Sequence, residues 1–410
     1  MEISVVSRTE SNLYIVERGV GSPPAPSTQY IPSSKTHTFR TEYVETARLE
    51  TFLKASPSNL LGIVRHDLSP DQFSTVGACP VICLDLPQLH GPPLAEVWRT
   101  TLPVSYQQAE GIQCAMNGEV LFGALQLDES PGTQLDTMAY TAYRRLLMQA
   151  RALGYPHLLR VWNYFPSINR GSDGLERYQR FCVGRHQALA EGLSGFPRTL
   201  PAGTAVGTMS GPLNIHFLAA RQPGTHVENP RQVSAYEYPP IYGPRSPSFA
   251  RATLRPSIAG SHLLISGTAS VVGHVSEQIG RPYQQTLEVI HNLNALITHS
   301  EQLRGITRGQ GYGQALFKIY IRHPEHFATI RDILNEQLPS HSQTLYLQGE
   351  MCRRELLLEI EGILSQEHTI NANQMLAPVP VRPQRSATFQ HAQTDSLEII
   401  GVPYSVPHSF

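Results

Sequence analysis

The stretch QGEMCRRELLLEIEGI, residues 348–363, decides the fold of this chain. Its second half is too apolar for a solvated strand and too rich in carboxylates for an ordinary core strand. By alternation, Leu356, Leu358 and Ile360 point one way, while Glu355, Leu357, Glu359 and Glu361 point the other. Such a strand packs one face on helices and carries acids on the face turned away. Cys352 stands just before it, followed by two arginines.

Outward from this strand the same alternation recurs. ALFKIYIR (315–322) puts Phe317, Ile319 and Ile321 on one face and Lys318, Tyr320 and Arg322 on the other. PEHFATIRDILNEQL (324–338) reads as a helix, and TLYLQG (344–349) as a strand. Upstream, HLLISGTASVVG (262–273) begins the unit, and a helix follows with Leu287, Ile290, Leu293 and Ile297 in register. An earlier copy has the same order. EVLFGALQL (119–127) is a strand, and residues 133–153 form a helix with Leu135, Met138, Ala139, Ala142, Leu146 and Ala150 at helical spacing and Gly154 as its stop. HLLRVWNYF, LERYQRFCVGRHQALAEGL and TAVGTMSGPLNIHFLAA then supply strand, helix and closing strands.

The expected class is therefore α+β, with two tandem β-α-β-α-β-β units, each a sheet packed against two helices. The first spans 95–222 and the second 249–365, joined by a connector over 223–248. Residues 1–94 read as an N-terminal arm, rich in Pro, Ser and Thr over 20–38, and the start of the first unit. Residues 366–410 lack a sustained period and read as a flexible tail whose removal leaves turnover intact.

Charge is nearly balanced, 32 basic against 33 acidic residues, which argues against a nucleic-acid or membrane-surface partner. The chain shows no secretory signal and no spanning run of about 18 apolar residues, so a cytoplasmic place is expected. Five scattered cysteines read as reduced thiols. Cys79 and Cys83 have no second pair to complete a zinc site, and His323 and His326 read as surface residues of a first helical turn. No metal and no cofactor is expected.

If strands 315–322 and 355–363 lie in one sheet, Tyr320, Arg322, Glu359 and Glu361 share the face away from the helices. An acid beside an arginine and a tyrosine suits an anionic substrate that must also be protonated. The plain alternative is an Arg322–Glu361 pair on a solvated face. Apolar neighbours on both sides make Glu359 harder to read that way. The matching strand of the first copy offers Asn214 and His216 but no carboxylate, which assigns the chemistry to the second copy.

The strings VWNYFPSINRGSDGLERYQRFCVGRHQAL (161–189), PSFARATLRPS (247–257), HLLISGTASVVGH (262–274) and GEMCRRELLLEIEG (349–362) together resemble the chorismatase family. The resemblance implies cleavage of chorismate to pyruvate and a six-membered-ring carboxylic acid. It also implies units similar to the small trimeric RidA/YjgF proteins, hence a monomer or a homotrimer. Glu359 aligns with the family's catalytic acid. Cys352 aligns with a position that sorts members by product: cysteine resembles the 3-hydroxybenzoate formers, with 4-hydroxybenzoate as a second isomer left open, and alanine the formers of a dihydroxycyclohexadiene acid. Gly267 falls at a second sorting position, and Arg251, Arg322, Arg185, Tyr178 and Tyr320 fall in matching strings as substrate-binding residues.

Physical chemistry supports these roles. Chorismate carries two carboxylates, best met by arginine forks. Its enolpyruvyl ether breaks once the terminal methylene is protonated, which needs an acid still neutral near pH 7. Burial in an apolar strand and the like charge of Glu361 push Glu359 that way. A thiol at Cys352 can exclude the water that hydrolysis would consume. The alternatives are chorismate hydrolysis to the dihydroxy acid, a RidA-like imine hydrolase and a non-catalytic binding protein. Met351 and Cys352 stand where RidA-like proteins carry a carboxylate-binding arginine, and retained Glu359 speaks against a mere binder.

Overall fold

The computed structural model describes residues 7–9, 12–14, 39–55, 59–67, 78–130, 132–172, 174–257, 260–305 and 312–367. Within them one strand pattern occurs three times. The N-terminal copy runs β1 (Arg40–Glu45), α1 (Thr46–Ala55), β2 (Leu60–Arg65), β3 (Val81–Cys83) and β4 (Leu94–Arg99). The middle copy opens with a hairpin, β5 (Ser105–Ala109) and β6 (Ile112–Met116). It continues through β7 (Val120–Leu127), α2 (Leu135–Ala152), β8 (His157–Pro166), α3 (Arg177–Gly192), β9 (Ala202–Thr208) and β10 (Leu213–Ala220). The last copy begins with β11 (Thr225–Val227) and β12 (Ala252–Ser257), followed by β13 (Gly260–Thr268) and α4 (Pro282–Leu303). It closes with β14 (Gln314–Ile321), α5 (Phe327–Gln337), β15 (Ser342–Gln348) and β16 (Leu358–Glu367).

The middle and last sheets have the orders β5-β6-β7-β10-β8-β9 and β11-β12-β13-β16-β14-β15. Strand for strand these are the same topology. In each, the final strand inserts antiparallel between its neighbours, and a helical crossover makes β8–β9 and β14–β15 parallel. The β-α-β-α-β-β order expected from sequence is therefore observed, with a leading pair of strands added to each copy. The N-terminal sheet, β1-β4-β2-β3, is the same arrangement without the leading pair. Residues 40–99 are thus a third copy, where the sequence suggests an arm over most of that length. At the other end, β16 runs on to pair Gln366 with Ser261, so the last strand takes in residues expected in the tail. The stretches 20–38 and 368–410, expected as arm and tail, lie outside the described residues.

Alternation explains how the copies pack. One face of each sheet covers helices: Leu121, Val161 and Phe217 against Met138 and Phe181 in the middle copy, and Phe317, Ile319 and Ile360 against Leu293 and Ile330 in the last. Ile63 and Val97 meet Leu49 and Leu53 in the N-terminal copy. The opposite faces of all three sheets meet in a fourth core that contains Val64, Trp98, Phe122, Trp162, Leu218, Leu264, Tyr320 and Ile363. The face that carries Glu359 and Glu361 is therefore buried, and the solvated-pair reading fails.

In that shared core lies a charged cluster. Lys318 stands 2.8 Å from Glu96 and 2.8 Å from Glu361, and Arg160 donates to Glu361 at 2.8 Å. The indoles of Trp98 and Trp162 donate to Glu96 and Glu361 at 2.7 and 3.0 Å. All four charged side chains are buried. The three final strands place Glu96, His216 and Glu361 at corresponding points, opposite Val64, Trp162 and Lys318. Replacing Lys318 by Met would leave Glu96 without a cation in this core and Glu361 with Arg160 alone. Urea unfolding is expected to show a loss of about 3–5 kcal/mol, the usual cost of breaking a buried pair from one side. A loss below about 1 kcal/mol would mean that water reaches and compensates the cluster.

Candidate active site

Where the middle and last copies meet, their sheets enclose a cavity of about 250 Å³. Helix α3 contributes Tyr178, Cys182 and Arg185, spaced so that all three fall on one face. Strand β9 adds Gly203, Thr204 and Ala205, and residues between β11 and β12 add Tyr238, Tyr242, Arg245, Phe249 and Arg251. The floor is Glu359 on β16 beside Gly267 on β13, with Cys352 on the loop that leads into β16.

The seat of Glu359 is made by a β-bulge. Pairing of β13 with β16 shifts between Ile265 and Thr268, which leaves Ser266 and Gly267 out of register. The bulge is fastened to the middle copy. Ser266 Oγ donates to the Ala250 carbonyl at 2.6 Å and accepts from Gly203 N at 2.8 Å, while Gly267 N donates to Thr204 Oγ1 at 2.9 Å. A Cβ at position 267 would come within 1.8 Å of Glu359 Oε1, so the carboxyl sits where it does because this residue is glycine, and any side chain here must displace it.

Two carboxyls on one strand then take opposite states. Burial, and next the charge of Glu361, push Glu359 up to about 8, against the pull of Arg160, Arg251 and Arg322. Burial also acts to raise Glu361, but Lys318 and Arg160 outweigh it and hold this carboxyl below its ordinary range. One acid is locked as an anion and its neighbour stays protonated near neutrality. Glu228 is another raised carboxyl, pushed to about 7 by burial, but it does not line the cavity. Burial pushes the Cys352 thiol up to about 12, so it faces the cavity uncharged.

A family model described as chorismatase FkbO/Hyg5-like, N-terminal, matches residues 96–219. A 3-hydroxybenzoate synthase of Streptomyces hygroscopicus is 34% identical over 343 residues, which is 81% of this chain and 99% of its own length. The chain belongs to the chorismatase family. A chorismatase of Streptomyces hygroscopicus is 36% identical over 75% of this chain and 89% of its own. A crystal structure of a chorismatase matches with a TM-score of 0.72 at 32% identity, covering 80% of this chain and 99% of that one. The fold class is the expected one, α+β with two tandem β-α-β-α-β-β units, accompanied here by the N-terminal copy.

Of the residues singled out from sequence, Glu359, Cys352, Gly267, Arg251, Arg185 and Tyr178 meet at the chorismatase cavity. Two do not. Arg322 follows the end of β14 and turns away, donating to the carbonyls of Leu356, Met351 and Arg353 at 2.9–3.0 Å. It braces the Cys352 loop and is not a cavity residue. Tyr320 sits directly opposite Glu359 in the register but is fully buried, its hydroxyl 2.8 Å from that of Tyr164 in the shared core. Other cavity residues are not singled out by sequence reasoning. Tyr238, Tyr242 and Arg245 come from the aperiodic segment that reads as a connector, and Arg353 stacks 3.8 Å over the Tyr242 ring. Their one signal is a cluster of aromatics and arginine in a stretch with no period of its own.

Gly267→Ala is expected to displace the Glu359 carboxyl and lower kcat at least tenfold, more than about 1.4 kcal/mol of barrier. Turnover at the wild-type rate would show that the carboxyl has a second seat.

Proposed function

We propose that this chorismatase cleaves chorismate to pyruvate and 3-hydroxybenzoate, with Glu359 as the proton donor. The observation that carries this reading is a buried carboxyl, protonated to about pH 8, at the floor of a cavity with room for one small diacid. Arg251 and Arg185 receive the two substrate carboxylates. The buried Nε of each has no hydrogen-bond partner among the described residues, and both residues line the cavity. Arg251 is held in place by donating to the Val233 carbonyl at 2.8 Å and the Tyr238 hydroxyl at 2.7 Å.

Glu359 protonates the terminal methylene of the enolpyruvyl ether, and the carboxylate left behind stabilises the oxocarbenium-like cation it created. The neighbouring ring hydroxyl adds to the cationic carbon and loses its proton. Its bond to the ring then breaks, and pyruvate leaves with that oxygen as its ketone. The ether oxygen stays on the ring, which loses a proton and becomes aromatic with no net consumption of water. Cys352, neutral at its raised pKa, serves as a small apolar wall that keeps water from the cation. The 3-hydroxybenzoate synthase among the relatives supports this product over the dihydroxy acid.

The three sheet faces that a trimer of single units would pool are already covered within one chain. This favours a monomer, and sedimentation at the mass of one chain is the corresponding measurement. All five cysteines are free, which suits the cytoplasm.

Incubation with chorismate is expected to give 3-hydroxybenzoate and pyruvate in equal amounts, with separation of the aromatic acids settling the isomer. Release of the dihydroxy acid instead would overturn the product assignment. Glu359→Gln keeps the shape but cannot give a proton to carbon. It is expected to lower the rate by at least 10²–10⁴-fold while chorismate still binds. Retention of a tenth of the rate would remove Glu359 from the role. In the wild type, kcat/KM is expected to fall with rising pH through about 8, because only the protonated acid works. Cys352→Ala is expected to hold the rate within about tenfold and divert product to the dihydroxy acid, labelled from solvent oxygen. Unchanged product would mean that water exclusion at 352 does not select it.

A further inference from the structure

We propose that Glu96, on the N-terminal sheet, is a positioning residue for the proton donor: by sharing Lys318 with Glu361 it keeps the cluster beneath Glu359 electrically neutral. This inference rests on the reading of Glu359 as the acid that cleaves chorismate. Among the described residues none that lines the cavity comes from the N-terminal copy, and the contact of that copy with the site runs through the shared core.

The geometry supplies the route. A single ammonium, Lys318 Nζ, lies 2.8 Å from Glu96 Oε2 and 2.8 Å from Glu361 Oε1. Glu96 Oε1 is fixed by the Trp98 indole at 2.7 Å, and Glu361 Oε2 by Arg160 at 2.8 Å. Two acids and two bases cancel. Without Glu96 the same cluster carries one uncompensated positive charge in a site from which solvent and salt are excluded. The nearest titrating group on the cavity side is Glu359, two residues along β16 from Glu361 and on the same face.

Other groups face these acids and must be counted. Glu359 meets Tyr320 from β14, Arg160 from β8, Arg251 ahead of β12 and Arg322 beyond β14. The loop before β16 adds Cys352, Arg353 and Glu355. The cluster itself faces Tyr43 from β1, Tyr164 from β8, His66 after β2 and His216 from β10. Burial holds the tyrosines above and the histidines below their ordinary ranges, so these four stay uncharged around neutrality. Glu96 and Glu361 are the anions of the cluster among the described residues.

The test is the pH profile of kcat/KM. In Glu96→Gln, which keeps an acceptor for the Trp98 indole, the alkaline limb is expected to move about one pH unit lower. That is the effect of one charge on the order of 10 Å away at an effective dielectric near 20. Glu96→Asp restores the charge and should return the limb toward the wild-type position. A Glu96→Gln profile superimposable on wild type, or a limb that stays shifted in Glu96→Asp, would overturn the proposal. A second measurement needs no variant. The wild-type midpoint should hold steady between low and high salt because the cluster is buried, and a midpoint that moves with ionic strength points to surface charge and equally overturns it. If Glu359→Gln remains active, the acid assignment itself fails; if it is dead while Glu96→Gln matches wild type, only this inference does.

Discussion

Two carboxyl groups two residues apart on one buried strand face each make ionisation of the other costly. Glu359 and Glu361 resolve that constraint by dividing roles, and the division dictates much of the rest. Glu361 needs cations, and Lys318 and Arg160 come from two different sheets to supply them. Lys318 in turn draws in Glu96 from a third sheet. Glu359 needs the reverse, a buried seat with no ion pair of its own among the described residues, and it finds one between an apolar strand and a glycine bulge. A buried ion cluster is weak evidence of stability, since apolar replacements often do as well. Its retention here fits a site whose acid depends on a neighbouring anion.

The cavity forms where two copies of one fold touch, and each copy contributes what the other lacks. The last copy brings the acid and the bulge. The middle copy brings α3, whose face carries Tyr178, Cys182 and Arg185, and the strand edge that holds the bulge through Gly203 and Thr204. Thr204 also accepts a hydrogen bond from Arg160, so a single hydroxyl links the cavity wall to the ion cluster below it. The segment between the copies closes the cavity with tyrosines and arginines.

Much of this is legible in the sequence because β-strands keep a strict period of two. Alternation over 358–363 puts both glutamates on one face, and that face is where they lie. The alternation fails at Leu357, which joins the helix-side core beside Leu358 because the strand begins only there. Arg322 departs from its expected face for the same reason, since β14 stops one residue earlier and the period no longer governs its direction. Tyr320 lies on the expected face, but sequence cannot tell a face that lines a cavity from one that meets another sheet. The N-terminal copy is hard to read because its strands are short, Val81–Cys83 above all, and its sheet has no leading pair among the described residues. The bulge at Gly267 leaves no periodic trace; only resemblance points to that glycine.

The triplication has a consequence for symmetry. A ring of three identical subunits must repeat every side chain around its axis, so an acid placed near the centre appears three times and so does each base. Joining the copies in one chain lifts that rule. At the corresponding points of the three final strands stand Glu96, His216 and Glu361, and the imidazole is stacked 4.7 Å from the Trp162 ring with no charge to offset. The centre of this molecule can therefore be lopsided, with an anion aimed at one cavity and an uncharged ring where a symmetric assembly would need another anion. Catalytic specialisation at a single site begins with that freedom to be unequal.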